Sequence, residues 1–398
     1  MAKVKDLTEL RVKDYWKEVK GEDEWWGDIK PELMRALKLV FETAMDEDIE
    51  GQIRAGKYRR TELRRGYRNG YRCRSLLTEF GLIENLKIPR DRDGLYQPAV
   101  LARYQRRQQG VNRLVRESFL AGVSTRRVGE VLAPVLGEKI SPQTVSRIAT
   151  SLDSEVRRYH SRLLWDTYSY LFLDGITLKV KTVMGAKKRL VLCAYGITSE
   201  GKRELISFHQ ATAESEAQWE AFLNNLYQRG LEGKNLSLIV TDGCPGLHRA
   251  LDTVYPYTKR QRCWAHKLRN VASKLPRRVQ ETCMKGAKSI YLAQTKQEAR
   301  GRFLKWAASW RAIAPRAVSC LEENIDELLN FLACPEEHWK KVRTTNVIER
   351  AFREVRRRTR PMSSFNNSAS VDRIIFGVFS HLNKNWKEKP LREFTHNT

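Results

Sequence analysis

The sequence predicts an α/β fold centred on a mixed five-stranded sheet, mainly because of the order of its apolar segments. Three strand-like segments with short links come first, which implies an antiparallel meander. Two further strands alternate with helix-like segments, which implies parallel additions with helices on both faces of the sheet. The strands are predicted at residues 170–180, 189–198, 204–212, 236–241 and 261–263, and the helices at residues 215–229 and 245–254.

A carboxylate stands inside the first of these strands, and another follows the fourth. Residues 170–180 form a nearly continuous apolar run interrupted by Asp174, which is typical of a strand buried on both faces. A buried aspartate must be paired or bound to a metal ion, or else its burial lowers the stability of the fold. Asp242 follows a second apolar run at residues 236–241. The simpler alternative is that each aspartate starts a turn, because Asp-Gly is a common turn pair.

In a mixed sheet of the ribonuclease-H type the first and fourth strands are neighbours, so Asp174 and Asp242 would lie side by side. Two such carboxylates can share divalent ions that act on a phosphodiester. A third acid from a packed helix would complete the ligands, and Glu349 is the candidate. The alternative role of Glu349 is a capping box with Asn346, three residues earlier. The rival acids are Glu322, Glu323 and Glu354.

The composition limits the class of protein. The chain has 398 residues, 41% of them hydrophobic, which suits about two to four domains with cores. A net charge of +26 implies a polyanionic partner, with nucleic acid as the first expectation and an anionic membrane surface as the alternative. No apolar run approaches the roughly 18 residues of a membrane span, and no signal-peptide pattern opens the chain. Seven scattered cysteines argue against a disulfide framework and favour a reducing compartment.

Residues 1–56 are predicted to be helical and charged, with Pro31 as the first residue of a helix. An apolar stripe at helical spacing follows Pro31, and this stripe must pack against another apolar surface. The partner is either the chain's own core or a second copy, so this region is a candidate for dimerisation. The stripe consists of Leu33, Leu37, Val40, Phe41, Ala44 and Met45.

Residues 57–110 form a basic segment in which arginines are interleaved with tyrosines. Residues 82–89 alternate like an exposed strand and a turn follows, so a small basic β-containing element is predicted. Arginine beside aromatic residues suits phosphate contact and base stacking, whereas the alternative is a solvated basic face. The candidate DNA-contacting arginines are Arg59, Arg60, Arg64, Arg65 and Arg68.

Residues 111–160 have the pattern of a helix-turn-helix DNA-binding domain. Ser124 suits the cap of its second helix, and Ser141 with Pro142 suits the start of its third. Polar residues at that start would suit reading of a DNA major groove, although helical trios are common. The helices are predicted at residues 115–120, at 125–136 and from 142 onwards. The candidate base-reading residues are Gln143, Thr144, Ser146 and Arg147.

Residues 271–342 are predicted to be purely helical, and a helix capped by Asn346 follows them. Just before this region, Cys263 and His266 form one close Cys/His pair. No second pair stands nearby, so a packing and hydrogen-bonding role is favoured over zinc. Trp264 between them is a candidate for exposure and stacking on a DNA base. The helices are predicted at residues 271–284, 296–308 and 317–332, with a closing helix at 371–382.

Several short motifs occur in a characteristic order. They are Leu173-Asp174-Gly175, Thr241-Asp242-Gly243, Gln261-Arg262-Cys263-Trp264-Ala265-His266 and Arg343-Thr344-Thr345-Asn346 with Glu349-Arg350. On these motifs the chain resembles the Mutator-type transposases of bacterial insertion sequences, which belong to the DDE group. The resemblance spans most of residues 60–385, whereas residues 1–50 carry little of it.

The resemblance implies that Asp174, Asp242 and Glu349 are the catalytic, metal-binding triad. It implies two divalent ions, Mg²⁺ or a substituting Mn²⁺, and no small-molecule cofactor. The ribonuclease-H-like catalytic domain would comprise residues 168–270 and 343–385, with an all-helical insertion domain at 271–342. A homodimer is expected, in the cytoplasm and associated with the bacterial nucleoid, without a membrane partner.

The activity that the resemblance implies is DNA transposition. The enzyme would bind the terminal inverted repeats of its insertion sequence, hydrolyse the phosphodiester at each end and join the 3′-OH ends to target DNA. Two alternatives stay open: a non-catalytic sequence-specific DNA-binding protein on the same scaffold, and a nuclease without joining activity. The further candidate DNA contacts are Arg343, Arg350, Arg356, Arg357 and Arg358.

Overall fold

The computed structural model describes residues 29–182, 185–362, 365 and 367–395. The helical prediction for residues 1–28 lies outside the described residues. The chain divides into two compact units between Thr150 and Ser151, while the finer domain boundaries expected from the sequence stay predictions. Within the described ranges, every helix is too short or too polar to cross a lipid bilayer.

In the first unit, the helix α1 (Ile29–Ile53) packs on an antiparallel hairpin of β1 (Arg68–Thr78) and β2 (Gly81–Asp91). The hairpin confirms the predicted β element. Pro31 lies two residues inside α1 rather than opening it, in the first turn where proline is tolerated. The helix buries Met45 fully and packs Met34, Leu37 and Phe41 against core residues of the hairpin.

The predicted apolar stripe of α1 therefore packs within the chain's own core, but the assignment of two residues to it was wrong. Leu33 and Val40 are 40% and 45% exposed, because they lie beside the buried row rather than in it. The buried row is one helical face, spaced three or four residues apart. Its members on α1 are Met34, Leu37, Phe41 and Met45, and its partners on the hairpin are Leu76, Ile83, Leu86 and Ile88.

Three helices complete the first unit: α2 (Gln109–Leu120), α3 (Thr125–Leu136) and α4 (Pro142–Thr150). Aliphatic residues of all three helices pack in one core, as expected for the predicted group of three helices. The first helix begins at Gln109 rather than at residue 115. The Ser141 hydroxyl accepts a hydrogen bond from the Thr144 amide at 3.3 Å, which is the expected cap of α4.

The second unit is built on the predicted mixed sheet, with strand order β5-β4-β3-β6-β7. Neighbours β3, β4 and β5 are antiparallel, whereas β6 and β7 run parallel to β3. The central strand is β3, and its apolar run is buried on both faces as expected. The strands are β3 (Tyr168–Thr182), β4 (Gly185–Thr198), β5 (Arg203–Ala211), β6 (Leu238–Thr241) and β7 (Arg260–Arg262).

Helices surround this sheet and fill the chain between β7 and its last described residues. They are α5 (Asp153–Ser161), α6 (Glu216–Gln228), α7 (Pro245–Val254), α8 (Trp264–Ala272), α9 (Arg277–Ile290), α10 (Lys296–Trp310), α11 (Pro315–Glu322), α12 (Ile325–Leu328), α13 (Trp339–Val342), α14 (Asn346–Thr359) and α15 (Ser368–Trp386). Short 3₁₀ turns lie at Asn330–Ala333, Glu336–His338, Arg360–Met362 and Arg392–Phe394.

The two faces of the sheet carry different helices. Leu171 and Leu173 of β3 join one core cluster with Trp219 of α6 and Leu251 of α7. Side chains alternate along a strand, so Phe172 and Asp174 belong to the opposite face. On that face α14 contacts β3, and α15 packs on β5 through Phe379, whose ring lies 5.5 Å from that of Phe208. Asp174 is thus on the side of the sheet that faces α14.

Two predicted helices were wrong in their extent. Residues 271–284 are not one helix: α8 ends at Ala272, and α9 begins after Pro276, whose ring and missing N–H interrupt the helical hydrogen bonds. Residues 317–332 are divided into α11, α12 and a 3₁₀ turn. The closing helix is longer than predicted, since α15 spans Ser368–Trp386.

Candidate active site

Strand pairing brings Asp174 and Asp242 to the same level of the sheet. The parallel register of β3 and β6 ends with Leu173 opposite Thr241, so each aspartate directly follows a paired residue. Asp174 lies inside β3, opposite Cys193 of β4, and is only 8% exposed. The turn alternative for Asp174 is therefore wrong.

The Asp174 carboxyl is destabilised in its charged form. Burial, together with the negative charge of Asp242 and a smaller contribution from Glu349, raises the pKa of Asp174 to about 7. The amide of Gly175, which donates to Asp174 Oδ1 at 2.7 Å, and the charge of His266 act in the opposite direction. A carboxylate in this position needs a positive partner to be fully ionised at neutral pH.

Asp242 both begins a turn and faces the site. Its Oδ1 accepts a hydrogen bond from the Cys244 amide at 3.0 Å, which is a local turn bond. The next residue, Gly243, has a φ of +97°, and a side chain there would lie 2.9 Å from Arg262 Nη1. The turn interpretation thus holds for Asp242 alongside its place near Asp174.

Glu349 comes to the same site from α14. Its Oε1 lies 3.5 Å from Nε2 of His266, near the start of α8. Asn346 is the first residue of α14 rather than its cap, because Thr345 occupies the N-cap position. The capping-box interpretation is therefore wrong, and the Glu349 side chain is turned towards another helix. Of the rival acids, Glu354 pairs with Arg357 at 3.0 Å and Glu322 pairs with Arg311 at 2.7 Å.

Thr345, Cys263 and His266 form a hydrogen-bonded group behind Glu349. The Thr345 amide lies 3.3 Å from Cys263 Sγ, and the Thr345 hydroxyl lies 3.3 Å from His266 Nδ1. The hydrogen bond to Cys263 raises the pKa of His266 to about 9, against the effect of burial and with support from Asp174 and Asp242. Burial raises the pKa of the Cys263 thiol, but hydrogen bonds from His266 and Thr345 outweigh it and lower the pKa overall.

The expectation that Trp264 is exposed was wrong. Its side chain is 1% exposed and its Nε1 donates to the Leu328 carbonyl at 2.7 Å. It cannot stack on a DNA base. It connects α8 to the helical region instead, because an indole N–H buried in a core must find an acceptor.

Sequence reasoning missed a basic and acidic cluster behind Asp242. Arg262 on β7 donates from Nε to Glu327 at 3.1 Å, and its Nη2 lies 3.3 Å from His248 Nε2. The same His248 nitrogen is 3.4 Å from the Thr241 hydroxyl. One feature of the sequence could have indicated this cluster. Arg262 lies on β7, which is the neighbour of the strand that Asp242 follows.

The candidate DNA-contacting residues fall into two groups. Most are exposed: Arg59, Arg60, Arg65, Gln143, Arg147, Arg350, Arg356 and Arg357. Arg64, Arg343 and Thr144 are half-buried. Arg68 instead pairs with Asp46 at 3.0 Å and Glu50 at 2.9 Å, so it holds the hairpin to α1. Arg358, whose side chain is 10% exposed, is likewise committed to Glu354.

The three acids share one site electrostatically, but their side chains are not gathered into a finished metal cage. Across the described residues, no three His, Cys, Asp or Glu side chains are assembled so that they could hold a metal ion. The donor chemistry nevertheless fits a hard divalent cation, because all three predicted ligands are carboxylates. A buried carboxyl with a raised pKa beside two others is the environment that such a cation would stabilise.

Comparisons with known proteins show the family of the chain. Residues 11–389 match the family model described as "Transposase, Mutator family". The chain is 33% identical over 356 residues to the transposase for insertion sequence element ISRM5 of Rhizobium meliloti, covering 89% of each protein. It is 36% identical over 355 residues to the IS406 transposase of Burkholderia multivorans, covering 88% of this chain and 90% of that one.

A third relative is the transposase for IS256 in transposon Tn4001 of Staphylococcus aureus, 32% identical over 354 residues, with 88% of this chain and 90% of the relative covered. The matched region covers most of both units and includes all three acids of the site. The protein therefore belongs to the Mutator family of transposases.

Proposed function

We propose that the protein is the DNA transposase of an insertion sequence. It binds the terminal inverted repeats, cleaves the element ends by metal-dependent phosphodiester hydrolysis and joins the 3′-OH ends to target DNA. The observation that carries this proposal is that the charges of Asp242 and Glu349 act on the buried Asp174 and raise its pKa, in a member of this family.

The sheet belongs, in this proposal, to a ribonuclease-H-like catalytic core. Support comes from its strand order, in which the first strand is central, flanked by the second and third on one side and by two parallel strands on the other. Every element between β7 and α14 is helical, which supports an all-helical insertion between the second and third acids. The insertion would bring helices near the start of α14 without disturbing the sheet.

Asp174, Asp242 and Glu349 would hold two divalent ions, Mg²⁺ or Mn²⁺. When bound, such ions supply activation of the attacking oxygen and stabilisation of the leaving oxygen. Asp174 stands on the central strand and would be the most buried of the three ligands. Glu349 would be the third ligand, and its contact with His266 would position its carboxylate.

The chain's own cations would position the substrate. Arg350 is exposed beside Glu349, and Arg343 is half-buried before α14, so both can contact phosphate next to the carboxylates. The Thr345, Cys263 and His266 group would hold α8 and α14 at a fixed separation. Preorganised groups of this kind contribute to phosphoryl transfer mainly by positioning and charge stabilisation.

Recognition of the element ends would fall to the first unit. Gln143 and Arg147 are exposed on α4, as a helix that reads a major groove requires. The exposed Arg59, Arg60 and Arg65 before the hairpin would contact phosphates. Two ends must be processed together, so we propose a homodimer as the active form.

The test replaces each acid conservatively. Asp174→Asn and Glu349→Gln should abolish cleavage in Mg²⁺ and leave binding to terminal repeats intact. Glu281→Gln, which changes an exposed acid of α9, is the matched control and should cleave normally. Cleavage at the wild-type rate by Asp174→Asn would overturn the site assignment, whereas binding without any cleavage by the wild-type protein would favour the DNA-binding alternative.

A second experiment separates a transposase from a nuclease. The wild-type protein receives a precleaved element end with a free 3′-OH and a supercoiled plasmid. Insertion of that end into the plasmid is expected. Cleavage of intact ends without any insertion would identify a nuclease that lacks joining activity.

A further inference from the structure

A cavity of ≈ 440 Å³ lies between α8, α9, α13 and the start of α14. Its apolar wall includes Trp264, Leu268 and Val347. The charged side chains that line it are all basic: Lys288, Lys340, Lys341, Arg343 and Arg350. A concave surface with an apolar wall and several cations is suited to a ligand that is flat and apolar in one part and anionic in another.

Most of these cations lack an anionic partner among the residues that the structure describes. Lys341 pairs with Glu393 at 3.1 Å. In the part of the chain that the structure describes, Lys288, Lys340, Arg343 and Arg350 form no ion pair with a carboxylate. Like charges that share a cavity repel one another, and an anion would relieve that repulsion.

Arg343 shows how a flat ligand would be held. Its guanidinium lies 4.5 Å from the centre of the Tyr291 ring, and burial lowers the pKa of this arginine despite the opposite effect of Tyr291. Stacked arginine and aromatic side chains form a planar surface on which a nucleobase can lie. The lysines at the rim, Lys288 and Lys340, are exposed and can reach a phosphate.

The cavity adjoins the carboxylates through the same two helices. On α8, Ala265 lines the cavity while the next residue, His266, faces Glu349. On α14, Arg350 lines the cavity while the preceding residue is Glu349 itself. Consecutive residues of a helix point about 100° apart. A ligand in the cavity would therefore lie beside the carboxylates rather than at a remote surface.

We infer that this cavity, the nucleotide pocket, binds one unpaired nucleotide of the DNA end during the reaction. This rests on the proposed function, which supplies the DNA and its cleaved end. A volume of ≈ 440 Å³ lies within the range of about 300–1,000 Å³ that small-molecule pockets have, which suits one nucleotide rather than a double helix. The base would lie against the Tyr291 and Arg343 surface, and the phosphate would contact Lys288 and Lys340.

The test compares two DNA molecules of one arbitrary sequence, a blunt 30-base-pair duplex and the same duplex with a three-nucleotide single-stranded extension. Binding by the full-length protein is measured in a chelator, so that no cleavage occurs. The wild-type protein should bind the extended duplex about tenfold more tightly. The variant Lys288→Gln/Lys340→Gln should lose this preference, because both lysines are exposed and their loss leaves the core intact.

The matched control is Lys285→Gln/Lys305→Gln, two exposed lysines of α9 and α10 outside the pocket, which should keep the preference. An abasic extension should bind the wild-type protein about tenfold more weakly than a normal one. Equal binding of blunt and extended duplexes would overturn the inference, and equal binding of abasic and normal extensions would overturn the base contact. Asp174→Asn should retain the preference, so failure of the proposed catalysis and failure of the pocket are distinguishable.

Discussion

The Nε2 atom of His266 on α8 lies 3.5 Å from the Oε1 atom of Glu349 on α14. On the other side of its ring, His266 faces the hydroxyl of Thr345, the residue at the N-cap position of α14. One histidine thus contacts both the third acid and the start of the helix that carries it. This contact directs the Glu349 carboxylate towards α8.

Replacing His266 should impair catalysis without preventing DNA binding. In His266→Gln the contact with Glu349 is lost, and we expect cleavage to fall about 10–100-fold, as for partners that orient metal ligands. Cleavage rates in Mg²⁺ and affinity for terminal repeats would be measured in parallel. His381→Gln, an exposed histidine of α15, is the control and should cleave normally. Unchanged cleavage by His266→Gln would show that this histidine does not position Glu349.

Removing the Thr345 hydroxyl should destabilise the junction of α8 and α14. Thr345 is fully buried, and its hydroxyl lies 3.4 Å from Cys263 Sγ and 3.3 Å from His266 Nδ1. Thr345→Val keeps the shape of the side chain, so the free energy of unfolding should fall by about 1–2 kcal/mol. Denaturant unfolding measures this change. A stability equal to the wild type would mean that the hydroxyl contributes no net hydrogen bonding.

The ion pair between Arg373 and Asp153 should matter more than surface pairs. Arg373 donates to both carboxylate oxygens, at 2.6 and 2.9 Å, and its side chain is only 9% exposed. Asp153→Asn leaves this arginine buried without its anion, so unfolding should become easier by about 2–3 kcal/mol. Asp326→Asn is the control: its pair with Arg300 is 67% and 55% exposed, and the expected loss is below about 1 kcal/mol.

His160 should make stability depend on pH. Burial, with support from the charges of Arg229 and His209, lowers the pKa of His160 from 6.5 to about 4. Its ring packs 4.6 Å from that of Phe208. As the pH falls from about 6.5 to about 4, the unfolded chain binds a proton that the folded chain does not. The free energy of unfolding therefore decreases over this window.

The measurement compares wild type with His160→Gln between pH 7 and pH 4.5. Because the ring is partly solvated, the wild-type protein should lose only about 1–2 kcal/mol more than the variant over this range. Equal pH dependence of the two proteins would contradict the lowered pKa.

Binding of terminal repeats should separate base contacts from phosphate contacts in the first unit. Arg59→Gln should weaken binding to all sequences and reduce the slope of log affinity against log salt by about 1. Gln143→Ala should leave that slope unchanged and relax preference at one base pair, a loss of about 1–3 kcal/mol. If both variants changed only the salt slope, α4 would not be the reading helix.

Local patterns were sufficient for much of the fold. The apolar run around Asp174 predicted a doubly buried strand, and short links followed by helices predicted the mixed sheet. Helix ends were less predictable, since Pro276 and the segment after Glu322 interrupt helices that periodicity alone would continue. A helix can end where other segments supply partners for the backbone groups that lose their helical hydrogen bonds. The sequence of the helix alone does not show whether such partners are present.

The sequence by itself determined the sheet, the placement of Asp174 and Asp242 on adjacent strands, and the family to which the chain belongs. Only the tertiary structure decided that Trp264 is buried, that Glu349 faces His266, and that five basic side chains line one pocket beside them. The physical reason is distance along the chain. The burial of a strand and the alternation of its side chains can be predicted from residues that are neighbours in the sequence. The contact between α8 and α14 forms only after the helices between them have packed.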